Sequence, residues 1–145
     1  MIHVIGAKLV ERKKALKDLQ ETYYQVLSAY CEARRLSPET PCILRLCPVS
    51  TGIFLENQSL KPLVAQMTWD SILVALDRLS PDSQEALRDS KVVMCLFEPA
   101  DFKSHTEALA RIRRSSQVRT SQNDWRKEGE ERWATLVTTW FDPRC

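Results

Sequence analysis

Residues 91–97 read Lys-Val-Val-Met-Cys-Leu-Phe, an apolar run with no polar alternation. A half-exposed strand alternates, and a helix places polar residues every third or fourth position. An unbroken run of this length fits a strand covered on both faces. That run is therefore expected to be the central strand, and the rest of the chain must supply two covering layers. Only three glycines, Gly6, Gly52 and Gly129, are available for tight turns. Sandwiches and barrels need many more, so the cover is expected to be helical. The 145 residues fit one domain, and 43% apolar with 28% charged residues is the balance of a folded globular chain.

The strongest helical pattern spans residues 7–35. Leu9, Leu16, Tyr23 and Tyr30 recur every seven residues, with Leu19, Val26 and Ala33 between them. This heptad-like stripe predicts a helix roughly 40 Å long at about 1.5 Å per residue, longer than a domain of this size needs. Part of it is expected to meet a partner. Residues 42–47 and 52–56 are short apolar runs around Pro48-Val49-Ser50-Thr51, which predicts a hairpin. Thr68 is expected to cap a helix with Trp69, Ile72, Leu73, Leu76 and Leu79 on one face. Ser80 and Pro81 are expected to open a short second one as N-cap and first helical residue.

After the central strand, Pro99 and Asp101 introduce a helix with Phe102, His105, Leu109 and Ile112 inward. Residues 113–122 are polar and predicted to be a loop. A Trp-rich helix is predicted over 122–141, carrying Trp125, Trp133, Leu136, Val137, Trp140 and Phe141. The expected fold is thus α+β. It is a single compact domain (1–145) with an α/β core over 41–114 and the order α-β-β-α-α-β-α-α. Its small, mostly three-stranded sheet is a hairpin plus one central strand, packed by about five helices.

The first six elements of that order resemble the type II KH arrangement. The phosphate clamp of that family needs a GXXG loop between two helices, where this chain has Leu79-Ser80-Pro81-Asp82. The likeness therefore implies element order alone and transfers no nucleic-acid contact.

Chemistry-bearing patterns are few. Any cysteine–histidine dyad must use His3 or His105, and Cys95 with His105 is the only pair close in sequence. A thiol inside a buried strand has a raised pKa, the wrong direction for a nucleophile. No Gly-x-Ser-x-Gly elbow, zinc spacing, EF-hand pattern or phosphate-binding glycine pair is present. Pro81-Asp82 with Asp101-Phe102-Lys103 carries the letters of a magnesium-dependent nuclease. Both acids, however, open helices, where the dipole alone favours them. No catalytic residue, metal or cofactor is expected, and the chain is expected not to be an enzyme.

Five cysteines without CxxC spacing, Cys31, Cys42, Cys47, Cys95 and Cys145, are expected to be reduced and mainly buried. Met1–Ile5 is too short for a signal-peptide core, and no run reaches membrane-spanning length, so a cytoplasmic or nuclear setting without membrane contact is expected.

Partner surfaces are the positive expectation. Tyr23, Tyr24, Tyr30 and Leu16 on the long helix are expected to anchor a protein partner or a second copy of the chain, because tyrosine joins large area to a polar handle. Net charge is only +2, but residues 103–127 hold seven bases against two acids. Arg111, Arg113, Arg114 and Arg119, with Lys13 and Lys14 near the other end, could meet an acidic partner or nucleic-acid phosphates. Arg113-Arg114-Ser115-Ser116 also resembles a basic-directed phosphorylation site.

Overall fold

The structure is a computed structural model describing residues 2, 6, 8–37, 39, 43–52, 54–87, 90–96, 98–120 and 137–141, with 115–120 and 137–141 described as backbone. Its elements are α1 (Arg12–Leu36), β1 (Ile43–Leu46), a 3-10 turn η1 (Gln58–Leu63), α2 (Val64–Arg78), α3 (Pro81–Leu87), β2 (Lys91–Leu96), α4 (Pro99–Thr120) and β3 (Val137–Phe141). Helix predominates and the strands pair in parallel, so the chain is α+β in the broad sense.

β1 and β2 pair from Ile43↔Lys91 to Leu46↔Met94. On the other edge of β2, β3 runs parallel from Val92↔Val137 to Leu96↔Phe141. Parallel neighbours require a crossover, which η1, α2 and α3 supply between β1 and β2. Val92 to Leu96 are all buried, as the unalternating run requires.

The predicted hairpin does not form. Among the described residues of 52–57 there is no strand, because their backbone groups are committed elsewhere. Leu55 N–H donates to the Gly52 carbonyl at 3.0 Å, closing a turn. The Phe54 carbonyl accepts from Leu9 N–H at 2.8 Å, and the Leu9 carbonyl from Asn57 N–H at 3.0 Å. Asn57 fixes the same arm by donating from Nδ2 to the Val10 carbonyl at 2.8 Å. Gly6 fits there because it lacks a side chain: a Cβ would stand 2.8 Å from Ser50 Oγ. Ser50 itself turns the chain at φ 65°.

Three helix boundaries also differ from expectation. α1 begins at Arg12, five residues late, because the extended arm through Leu9 is bonded to the 54–57 segment. α2 starts four residues before Thr68, since Val64 and Ala65 extend its buried stripe backwards; Thr68 is interior and buried. α4 continues through Thr120 across the expected loop, as residues 113–120 contain neither glycine nor proline and include good helix formers. The predicted C-terminal helix is overturned at Val137–Phe141, which is strand; residues 121–136 lie outside the described residues. Four α-helices are present among the described residues. α3 opens as expected, with Ser83 N–H donating to Ser80 Oγ at 3.3 Å.

The core gathers along α1 and α2. Ala15, Leu19, Tyr23, Val26, Leu27, Tyr30 and Cys31 form α1's buried stripe, and they share one core cluster with Ile72, Ala75 and Leu76 of α2. The stripe therefore faces the chain's own second helix rather than a partner.

Tyr23 has no exposed surface, and its hydroxyl accepts from Val49 N–H at 3.2 Å. Tyr23→Phe should cost about 1–3 kcal/mol by orphaning that amide, and Tyr23→Ala about 3–5 kcal/mol through the cavity left. Urea denaturation measures both. A Tyr23→Ala chain that unfolds at the wild-type midpoint would refute the core assignment.

Candidate functional site

The expected tyrosine anchors are not available. Tyr23 and Tyr30 are buried, and Tyr30 donates its hydroxyl to Ser90 Oγ at 3.1 Å, stapling α1 to the segment before β2. Tyr24 is half-buried beneath Arg78, whose guanidinium carbon lies 4.3 Å from the ring centroid. Arg78 is held in turn by Glu21 at 2.9 Å. Leu16 is half-buried against the core. Tyr23 and Tyr30 are thus spent on internal packing, while Tyr24 and Leu16 are partly covered.

The basic residues lie differently. Arg12, Lys13 and Lys14 occupy the first turn of α1 and Lys17 the next, and all four are exposed. That turn holds no acid, and the N-cap residue Glu11 makes no side-chain cap bond. Among the described residues none of these four cations has an ion-pair partner. On α4, Arg111, Arg113 and Arg114 are exposed, with Arg111 3.9 Å from Glu107. Arg119 stands in the last turn of the same helix. Their residue types alone made exposure the expectation. It missed their conflict with the helix dipole, since a helix begun at residue 7 puts Lys13 and Lys14 in its second turn.

Groups with chemical potential are quenched by their surroundings. His105 is buried, with its ring edge-on to Trp69 at 6.0 Å between centroids. Trp69 Nε1–H donates to the His105 carbonyl at 3.1 Å, while His105 Nδ1 has no hydrogen-bond partner among the described residues. Burial pushes its pKa down to about 4, so the ring is neutral at physiological pH. Cys95 is buried in β2.

A cleft of about 280 Å³ opens between α1 and α3, lined in part by Cys31, Glu32, Arg35, Asp82 and Ser83. Burial pushes the Cys31 thiol up to about 11, and its sulfur donates to the Ser83 carbonyl at 3.4 Å. Arg35 is engaged by both oxygens of Glu32, at 2.8 and 2.9 Å. The cleft thus offers a protonated thiol and an ion pair already closed on itself.

Cys47 is exposed, against the expectation of burial. Cys42, Cys145, His3, Trp125 and Trp133 lie outside the described residues. Asp82 and Asp101 sit in the first turns of α3 and α4, as their dipole preference predicts. Among the described residues no group of three or more His, Cys, Asp or Glu could hold a metal ion, and no helix is long and apolar enough to cross a membrane.

No protein-family model matches the sequence, and comparisons with curated proteins and with solved structures give no match. The functional reading therefore rests on the residues themselves.

The buried His105 makes stability depend on pH. Its folded pKa of about 4 lies below the ordinary 6.5, so the unfolded chain binds the proton more readily. Its contribution is complete above about pH 6.5 and is lost as the pH falls towards 4. Between pH 7.5 and pH 5 the loss should be about 2 kcal/mol. Urea midpoints at the two pH values test this, and His105→Leu should remove most of the difference. An undiminished pH dependence in that variant would assign it to other groups.

Proposed function

We propose that this chain is a non-enzymatic protein-interaction module that receives an acidic segment of a partner protein on the cationic first turns of α1, with the arginines of α4 as a second cationic surface. The observation that carries the reading is the position of Arg12, Lys13 and Lys14. A helix N-terminus bears partial positive charge and unpaired N–H groups. Each exposed cation there costs about 0.3–1 kcal/mol relative to a neutral residue, while an acid would gain as much. Sequences break such local rules chiefly where function compensates for them. A carboxylate-bearing segment would answer both the side-chain charges and the helix end.

Among the described residues most aromatic rings are covered and Phe102 is the exception, which favours polypeptide over nucleic acid. Recognition of single strands relies on aromatic faces. Tyr23, Tyr30 and Trp69 are buried, and Tyr24 is covered by Arg78. The cationic surface would act through long-range attraction, giving fast, salt-sensitive association. In a reduced cytoplasmic or nuclear setting, abundant acidic segments would be the competing ligands.

The double variant Lys13→Glu, Lys14→Glu gives this reading an unusual signature. It should raise stability by about 1–3 kcal/mol, visible as a melting temperature several degrees higher, because acids suit that end of the helix. The same variant should weaken binding to an oligoglutamate peptide at least tenfold. Fluorescence anisotropy at low and moderate salt, with RNA and DNA oligonucleotides in parallel, gives the comparison. Stronger binding to the nucleic acids, falling steeply with salt and lost in Arg111→Gln, Arg113→Gln, Arg114→Gln, would replace the protein partner by nucleic acid. No binding to any acidic probe would sink the cationic-surface reading.

A further inference from the structure

The sheet runs β1-β2-β3, so β1 pairs with β2 on one side and is an edge strand on the other. In a parallel ladder a strand turns alternate residues' N–H and C=O groups towards each of its two sides. Half of the backbone groups of Ile43–Leu46 therefore point away from β2. Among the described residues no backbone hydrogen bond reaches them. Such an edge is a template for a further strand, and charge on it decides which strands are refused.

The charge on β1 is of one sign. Leu44 and Leu46 are buried in the core, while Ile43 and Arg45 are exposed on the opposite face. The register sets Lys91 beside Ile43 and buried Val93 beside Arg45, so β2 offers neither position an acid. Lys91 is exposed as well. Among the described residues neither Arg45 nor Lys91 has an ion-pair partner.

That charge chooses between occupants. Two copies of β1 meeting edge to edge about a two-fold axis bring their Arg45 side chains directly or diagonally opposite one another. Like charges repel at such places, whereas an acid there is attracted.

We propose that the outer edge of β1 receives an extended segment of a partner protein as a further strand, with an acidic residue opposite Arg45 and an apolar residue opposite Ile43. The two side chains must share one face of the added strand, so they stand two residues apart in its sequence. The apolar one covers Ile43, which is 42% exposed. Main-chain bonds supply affinity and the Arg45 pairing supplies selectivity, as in other cases of strand addition. Lys91 lies two strands from the newcomer, roughly 10 Å away, and adds attraction rather than a bond. The site uses no residue of α1 or α4, so it stands independently of the function proposed above.

The test titrates the full-length chain with two fluorescein-labelled peptides of equal composition and charge. In Thr-Thr-Glu-Thr-Val-Thr-Thr the acid and the valine share a face; in Thr-Thr-Glu-Val-Thr-Thr-Thr they do not. Fluorescence anisotropy should show the first binding at least threefold tighter. Arg45→Glu should weaken it at least tenfold, and a peptide with lysine in place of glutamate should then bind the variant. Amide exchange at alternate residues of 43–46 should slow at least tenfold in the complex. Equal binding of the two peptides would reduce the effect to charge alone and overturn the proposal. Unchanged affinity in Arg45→Glu, or unchanged exchange along β1, would overturn it too. A dimer in sedimentation whose β1 amides are protected without peptide would give the edge to a second copy instead. The variant Lys13→Glu, Lys14→Glu separates this site from the cationic helix end. It should lose oligoglutamate and keep the first peptide; loss of both would refute an independent edge site.

Discussion

Tyr23 is the point at which α1, α2 and the turn after β1 meet. Its ring lies wholly inside the α1–α2 seam, and its hydroxyl reaches through to the backbone N–H of Val49. Burial pushes the phenol up to about 12, so it stays neutral, with Val49 and Thr68 exerting the opposing pull. One side chain thereby fixes both the depth of the helix pair and the path by which the chain leaves the sheet. The turn at Ser50 and the bonded pair Leu9 and Phe54 follow from that path. Without the hydroxyl, the Val49 amide would be an unpaired donor in a part-buried place, and the turn would lose its attachment to α1.

Trp69 has the same role on the opposite side of α2. Its ring meets His105 edge-on and its N–H binds the His105 carbonyl, joining α2 to α4. α2 is therefore a hub with two occupied faces, consistent with its nearly continuous burial from Val64 to Leu76. An apolar interior at this junction keeps His105 neutral, and the fold takes on an acid-sensitive contact as a result.

The buried strand Lys91–Leu96 was legible because an unalternating apolar run allows few alternatives. Leu19 and Val26 were legible as well, since a seven-residue stripe and a 3.6-residue stripe share those positions. What the stripe faces could not be read from periodicity: a seam with a partner and a seam with α2 demand the same residues on α1. The hairpin failed for a related reason. Local turn residues suggested an adjacent partner for β1, while the actual pairing joins Ile43 to Lys91 through a helical crossover. At Val137–Phe141 the order Val-Thr-Thr-Trp-Phe is rich in β-branched and aromatic residues, a strand signal that tryptophan spacing over a longer window outweighed.

With the apolar faces of α1 and α2 committed to each other, what these helices offer to the outside is mainly charge. Arg12, Lys13 and Lys14 illustrate the consequence: their exposure was evident from residue type, but their strain against the helix dipole depends on where the extended arm ends. A surface built this way differs from one built on tyrosines. Aromatic anchors gain affinity by leaving water and are insensitive to salt, whereas exposed cations contribute little to a static complex and much to the rate of encounter. With Tyr23, Tyr30 and Trp69 in the core, fast and readily released association is what the proposed cationic surface would give.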